Sequence, residues 1–113
     1  MTFKNSPLKY TSTELEIEAI KRFRELAPLL SPKCRVYREL SGRSIVLCLD
    51  FAACLQDLKI EKKEEWQEFA KLLVHSSHYL GLANSLVFKN GERILAWMNL
   101  NQIQYFGEFF EEG

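Results

Sequence analysis

The sequence predicts an α+β domain in which helices pack on a four-stranded, mostly antiparallel sheet made of two hairpins. One observation is a run of apolar residues at helical spacing over 19–30, which indicates an amphipathic helix. The other is a pair of strand–turn–strand patterns over 34–50 and 86–98, each with a glycine in its turn. The predicted order of elements is α-β-β-α-α-β-β-α, in a single domain over residues 1–113.

The first helix is predicted to begin near Thr13, because Thr13 and Glu16 have the spacing of a capping box. Pro28 and Pro32 are expected to end it, since proline cannot donate a backbone hydrogen bond and disfavours helix before it. Residues 1–11 are polar and without pattern, and are interpreted as a flexible lead-in. Apolar positions form one stripe on the helix: Ala19, Ile20, Phe23, Leu26, Ala27 and Leu30.

The first hairpin joins a charged strand over 34–40 to an apolar strand over 43–50 through Ser41 and Gly42. The second of these strands is apolar on both faces, which is typical of a covered central strand. Asp50 is then expected to cap a short helix over 51–58. A long helix over 61–80 follows, with Gly81 as its C-terminal stop.

The second hairpin has the strongest local signal, because Asn90-Gly91 is typical of a type I′ turn. That turn places Phe88 opposite Arg93, a pair with cation–π chemistry. It also places four large apolar side chains on one face: Leu86, Phe88, Leu95 and Trp97. With Arg93 at the edge, this patch has the composition of a protein interface. The alternative is that helices cover both faces of the sheet.

Residues 100–113 are predicted to form an aromatic C-terminal helix or tail. Phe106, Phe109 and Phe110 need an apolar environment, which either their own domain or a partner can supply. They complete the set of candidate interface residues.

Two histidines, His75 and His78, are the only ones in the chain and lie three positions apart on the long helix. A helical wheel places them on the polar side, away from the stripe that contains Trp66 and Leu73. A metal site needs three or four converging ligands, and only Glu68 lies near enough on the helix to add one. We therefore expect exposed histidines, no metal and no cofactor, and keep a metal-dependent enzyme at His75 and His78 as an alternative.

A basic segment over 21–43 carries seven basic residues against two acidic ones. Arg35, Tyr37, Arg38 and Arg43 could form a nucleic-acid-binding surface, with the tyrosine as a stacking platform. The other interpretation is an edge strand protected by charge against unwanted pairing. The whole chain has 15 basic and 15 acidic residues, which argues against a dedicated polyanion binder.

The composition limits the remaining classes of function. The chain contains neither a GxGxxG motif nor a phosphate-binding loop, so nucleotide binding has no support in the sequence. No apolar run reaches the roughly 20 residues of a membrane helix. The first residues lack the apolar segment of a secretory signal, and the three cysteines are typical of reduced thiols, which favours the cytoplasm.

The predicted order of elements is similar to that of Roadblock-type dimeric adaptor domains, although it lacks the additional strand that usually precedes the last helix of those domains. The resemblance implies pairing through a central antiparallel sheet. From the residues themselves we expect a non-enzymatic interaction, adaptor or regulatory module. Its partner would be a second copy, bound through the sheet or the C-terminal tail, or another protein.

Overall fold

The computed structural model describes residues 8–57 and 62–105, with side chains described from 13 to 57 and from 62 to 104. Within these ranges the chain forms two helices, five strands and one 3₁₀ turn, Leu55–Asp57. The helices are α1 (Leu8–Leu26) and α2 (Lys63–Tyr79). The strands are β1 (Arg35–Ser41), β2 (Ser44–Asp50), β3 (Ser85–Asn90), β4 (Arg93–Asn99) and β5 (Ile103–Tyr105).

The five strands form one sheet in the order β1-β2-β3-β4-β5. The α+β class is confirmed, but the sheet is mixed, because β2 and β3 are parallel while the other three pairs are antiparallel. The prediction of a mostly antiparallel sheet holds for three of the four pairs, but the predicted number of four strands is wrong, and the parallel pair was not predicted. Helix α2 carries the chain back along the sheet between β2 and β3, and such a crossover makes the flanking strands parallel.

The predicted short helix over 51–58 and the described start of the predicted C-terminal helix or tail have other structure. The chain after Asp50 forms turns and the short 3₁₀ turn Leu55–Asp57 in place of an α-helix. Residues 103–105 pair with β4 as a strand. Helix α1 begins at Leu8, before Thr13, and ends at Leu26, before the prolines as predicted. Residues 1–7 of the predicted lead-in and residues 106–113 of the predicted tail lie outside the described residues.

The core lies between the helices and one face of the sheet, here called the inner face. Trp66 of α2 packs edge-on against Phe88 of β3, with ring centroids 4.8 Å apart at 71°. Phe51 packs against the same Phe88 ring at 5.6 Å. Phe23 brings α1 into this cluster, and Leu47 brings in the centre of β2. The burial of the large rings accounts for much of the apolar stabilisation.

The loop between α1 and β1 is held from the helix. The guanidinium of Arg24 donates hydrogen bonds to the backbone carbonyls of Ser31 (3.4 Å) and Cys34. Arg24 lies in the last turn of α1, where a cationic side chain is favourable. The loop is thereby fixed at the start of β1, which aligns that strand beside β2.

The register of the β3–β4 hairpin differs from the prediction. Its two-residue loop is Gly91-Glu92, with φ of +68° at Gly91, and the described non-glycine residues all have negative φ. A positive φ at the first loop position alone is typical of a type II′ turn. Asn90 therefore lies opposite Arg93, and the predicted pair of Phe88 with Arg93 is wrong.

A β-bulge then changes which side chains share a face. The register shifts after Phe88, so that Phe88 lies opposite Ala96 and Leu95 is the extra residue. Leu86, Phe88 and Leu95 all lie in the core beside the helices. Trp97 lies on the other face, so the predicted four-residue patch does not exist as one surface.

Candidate functional site

The face of the sheet opposite the two helices, here called the outer face, carries a row of aligned side chains. Tyr37 of β1 lies opposite Cys48 of β2, Cys48 opposite Val87 of β3, and Val87 opposite Trp97 of β4. Cys48 and Val87 are buried together with Val46, while Tyr37 and Trp97 pack on this cluster and stay partly exposed. The row is apolar at its centre and has an aromatic ring at each end.

A second row crosses the outer face one pleat closer to the carboxyl ends of β2 and β3. Arg35 lies opposite Asp50, and Asp50 lies opposite Lys89. Here the ammonium of Lys89 donates to the hydroxyl of Tyr37 at 3.3 Å and lies 3.5 Å from the carboxylate of Glu39. The charged row is thus joined to the aromatic row through Tyr37.

The hydrogen bonds of this cluster change how its groups titrate. The thiol of Cys48 donates to Glu39 at 3.1 Å, and this bond, with the nearby Lys89 charge, lowers the pKa of Glu39. Burial, followed by the interaction with Glu39, raises the pKa of Cys48 to about 11. The hydrogen bond with Tyr37 outweighs burial and raises the pKa of Lys89. At neutral pH the cluster therefore holds a carboxylate, an ammonium and a protonated thiol.

Asp50 ends β2 and fixes two loops. Its Oδ1 atom accepts hydrogen bonds from the backbone amides of Ala52 and Gly91, both at 2.9 Å. Its Oδ2 atom has a single long contact, 3.4 Å from the guanidinium of Arg35. The prediction of a helix cap is replaced by this role, in which one carboxylate joins the turn after β2 to the β3–β4 turn.

A cleft of about 460 Å³ lies over this end of the outer face. The guanidinium of Arg35 lies 5.0 Å from the centre of the Tyr37 ring, and the ammonium of Lys89 lies 5.7 Å from it. Both distances are within the range of cation–π contacts. The lining of the cleft contains three acidic and two basic side chains. It consists of Arg35, Tyr37, Glu39, Asp50, Lys89, Gly91 and Glu92.

The predicted interface residues are separated by the fold. Leu86, Phe88 and Leu95 are core residues, so their side chains cannot form a surface. Trp97 is on the outer face, and Arg93 is exposed at the start of β4. Phe106, Phe109 and Phe110 lie outside the described residues. A role of Trp97 and Arg93 in binding stays a prediction.

The predicted nucleic-acid residues are also dispersed. Arg35 and Tyr37 share the outer face, but Arg38 alternates to the inner face and pairs with Glu16 of α1 at 3.2 Å. Arg43 lies in the β1–β2 turn, at the far end of the hairpin from Arg35. The four residues do not form one basic surface.

Both histidines are exposed on α2, as predicted. The Nδ1 atom of His78 is 2.8 Å from the side-chain oxygen of Asn84, and Glu68 lies 3.9 Å from Lys71. Within residues 8–57 and 62–105, histidine, cysteine, aspartate and glutamate side chains form no group of three that could hold a metal ion.

Sequence reasoning missed Glu39, Cys48 and Lys89 as members of one cluster. Alternation along β1 was sufficient to place Arg35, Tyr37 and Glu39 on one face. Nothing local indicated that β3 pairs in parallel with β2, and this pairing is what brings Lys89 to them.

In the part of the chain that the structure describes, neither helix is long and apolar enough to cross a membrane. Comparison with protein-family models, curated proteins and solved structures finds no match to this chain.

Proposed function

We propose that this protein is a non-enzymatic interaction module that forms a homodimer through the outer face of its sheet. The observation that supports this most is the row from Tyr37 to Trp97, which lies on the face that neither α1 nor α2 covers. Tyrosine and tryptophan at the ends of a buried apolar strip are typical of the centre of a protein interface. Ile94, on the same face and 46% exposed, extends the apolar surface.

The charges on the outer face favour a second copy as the partner. Arg35 and Lys89 are basic, and Glu39 and Asp50 are acidic. A two-fold axis brings one surface against itself, so a face with both signs can place each charge near an opposite one. The zero net charge of the chain adds little repulsion between copies. We expect the dimer in the cytoplasm, where its three free cysteines stay reduced.

Light scattering coupled to size-exclusion chromatography, over a range of loading concentrations, tests the dimer. The expected mass is twice the 13.2 kDa of one chain. Trp97→Asp should reduce the mass to that of one chain, because a carboxylate in the aromatic row would lose its hydration on pairing. Circular dichroism and a thermal melt would establish that the variant is folded.

The control is Tyr79→Asp, which also replaces an aromatic residue by aspartate, at a site on α2 that is 82% exposed. This variant should remain a dimer. A wild-type mass of one chain at every concentration would contradict the proposal, as would an equal effect of the two substitutions.

A further inference from the structure

We infer that the cleft beside Tyr37 holds an arginine side chain of the second copy, an inference that rests on the proposed dimer. The cleft is part of the outer face, at the carboxyl ends of the parallel strands β2 and β3. The group recognised at this end of the proposed interface is then a guanidinium.

The chain's own Arg35 indicates which group the cleft accepts. Its guanidinium lies over the Tyr37 ring at 5.0 Å and near Asp50 at 3.4 Å. Yet the Arg35 side chain is 70% exposed and makes one long hydrogen bond to Asp50. Guanidinium–carboxylate pairs are strongest when two short N–H···O bonds form in parallel. Arg35 therefore occupies the position loosely, and a guanidinium entering from outside can replace it with better geometry.

Asp50 has acceptor capacity that its present contacts do not use. A carboxylate offers about four lone-pair sites. Two backbone amides bind Oδ1, while Oδ2, on a side chain only 7% exposed, has the single contact with Arg35. Glu92 and the half-exposed Glu39 add negative charge at the rim. The excess of acidic groups in the lining favours a cation over an anion.

The geometry favours arginine over lysine. A guanidinium is planar, stacks on an aromatic ring and can bind a carboxylate with two donors at once, whereas an ammonium is a strongly hydrated point charge. The cleft already contains an ammonium from Lys89, which is engaged by Tyr37 and Glu39. Displacement of the loosely held Arg35 would therefore leave the face of the Tyr37 ring and the Oδ2 atom of Asp50 for an incoming guanidinium.

The first test is an NMR titration of the full ¹⁵N-labelled chain with N-acetyl-arginine amide, and separately with the lysine analogue at matched ionic strength. We expect saturable shifts at the Gly91 and Ala52 amides, which bind Asp50. Binding of the lysine analogue should be weaker by about fivefold or more. Equal shifts with both compounds would mean general charge screening and would overturn the inference.

Variants separate the parts of the site. Tyr37→Phe should keep arginine binding because it keeps the ring, whereas Tyr37→Leu should lose it. Asp50→Asn should lose binding, since an amide NH₂ would replace the accepting Oδ2 atom. Arg35→Ala should strengthen binding, because the internal competitor is absent. If Arg35→Ala binds N-acetyl-arginine amide no more tightly than wild type, the idea that an external guanidinium replaces Arg35 is contradicted.

The source of the arginine is tested on the dimer. N-acetyl-arginine amide should lower the mass measured by light scattering, and the lysine analogue should not. A dimer that persists with the cleft saturated would overturn the assignment to the second copy. If the wild type is a monomer, the proposed dimer is rejected. If N-acetyl-arginine amide then still binds the folded Trp97→Asp variant, the cleft binds a guanidinium but its arginine does not come from a second copy.

Discussion

At the scale of single residues, Asp50 joins parts of the chain that are distant in sequence. Its Oδ1 atom accepts hydrogen bonds from the backbone amides of Ala52 and Gly91, which are 39 positions apart. Each amide lies in a turn, where backbone donors lack a strand partner and need another acceptor. The same side chain therefore fixes the β3–β4 turn and forms the wall of the proposed arginine site.

Asp50→Ala should lower the free energy of unfolding by about 2–4 kcal/mol, because two amides lose their acceptor. Asp50→Asn should cost less, since its side-chain oxygen can still accept both amides. Urea denaturation of the two variants measures the difference. An alanine variant as stable as wild type would show that water replaces the carboxylate at no cost.

The same residue makes stability depend on pH. Burial alone raises the pKa of Asp50, but the hydrogen bonds from Gly91 and Ala52 and the charges of Arg35 and Lys89 outweigh it, so the pKa is lowered. Its contribution is complete above the unfolded value of about 3.9 and is lost as pH falls through the folded value. Asp50→Asn should remove that part of the acid destabilisation, measured by urea denaturation between pH 2 and 6. An unchanged acid dependence would assign it to other carboxyls.

At the scale of elements, the end of α2 sets where β3 begins. The Gly81 amide donates to the His78 carbonyl at 3.0 Å, and the Leu82 amide donates to the Ser77 carbonyl at 2.9 Å. These two bonds form a Schellman motif, and they require the left-handed conformation that Gly81 adopts at φ +74°. The motif turns the chain so that Leu82 enters the core and β3 can start beside β2.

Gly81→Ala should destabilise the protein by about 1–2 kcal/mol, the cost of placing an L-residue in this conformation. A Cβ atom at Gly81 would have no neighbour within 4 Å, so strain alone is expected without a clash. Gly81→Asn is the matched control and should cost less, because asparagine tolerates this conformation better. Thermal melts of both variants measure the order, and a neutral alanine variant would contradict it.

At the scale of the whole molecule, the two faces of one sheet have different environments. The inner face is covered by α1 and α2, whereas the outer face carries an apolar centre and a charged end. The three free cysteines are distributed over both sides of the sheet. Cys34 and Cys54 lie in the core against the inner face, and Cys48 lies on the outer face. Their reactivity therefore reports on how well each layer excludes solvent.

We expect the native thiols to react very slowly with Ellman's reagent at pH 8. Burial, followed by the neighbouring Cys54, raises the pKa of Cys34 to about 12, and burial, followed by the hydrogen bond with Glu39, raises the pKa of Cys48 to about 11. The reactive thiolate is then a very small fraction of these two thiols, and Cys54 is fully buried. Three thiols should react after denaturation, and Tyr79→Cys should add one that reacts at once. Rapid reaction of a native thiol would show that its layer is permeable.

The sequence by itself determined the features that depend on neighbours along the chain. The periodicity of α2 placed Trp66 inside and His75 and His78 outside, and the glycines located the turns and the end of α2. These follow from local rules, because side-chain direction repeats every 3.6 residues in a helix and every two in a strand.

Only the tertiary structure decided which strands are neighbours and which face each side chain occupies. The parallel pairing of β2 with β3 aligned Arg35, Asp50 and Lys89. The helices buried Leu86 and Phe88 on the inner face, and the bulge at Leu95 separated that residue from Trp97. The pairing of β2 with β3 depends on how α2 packs on the sheet, and the faces of β4 depend on the extra residue Leu95. The local sequence pattern predicts neither feature. A shift of one residue is enough to move every following side chain of a strand to the other face of the sheet.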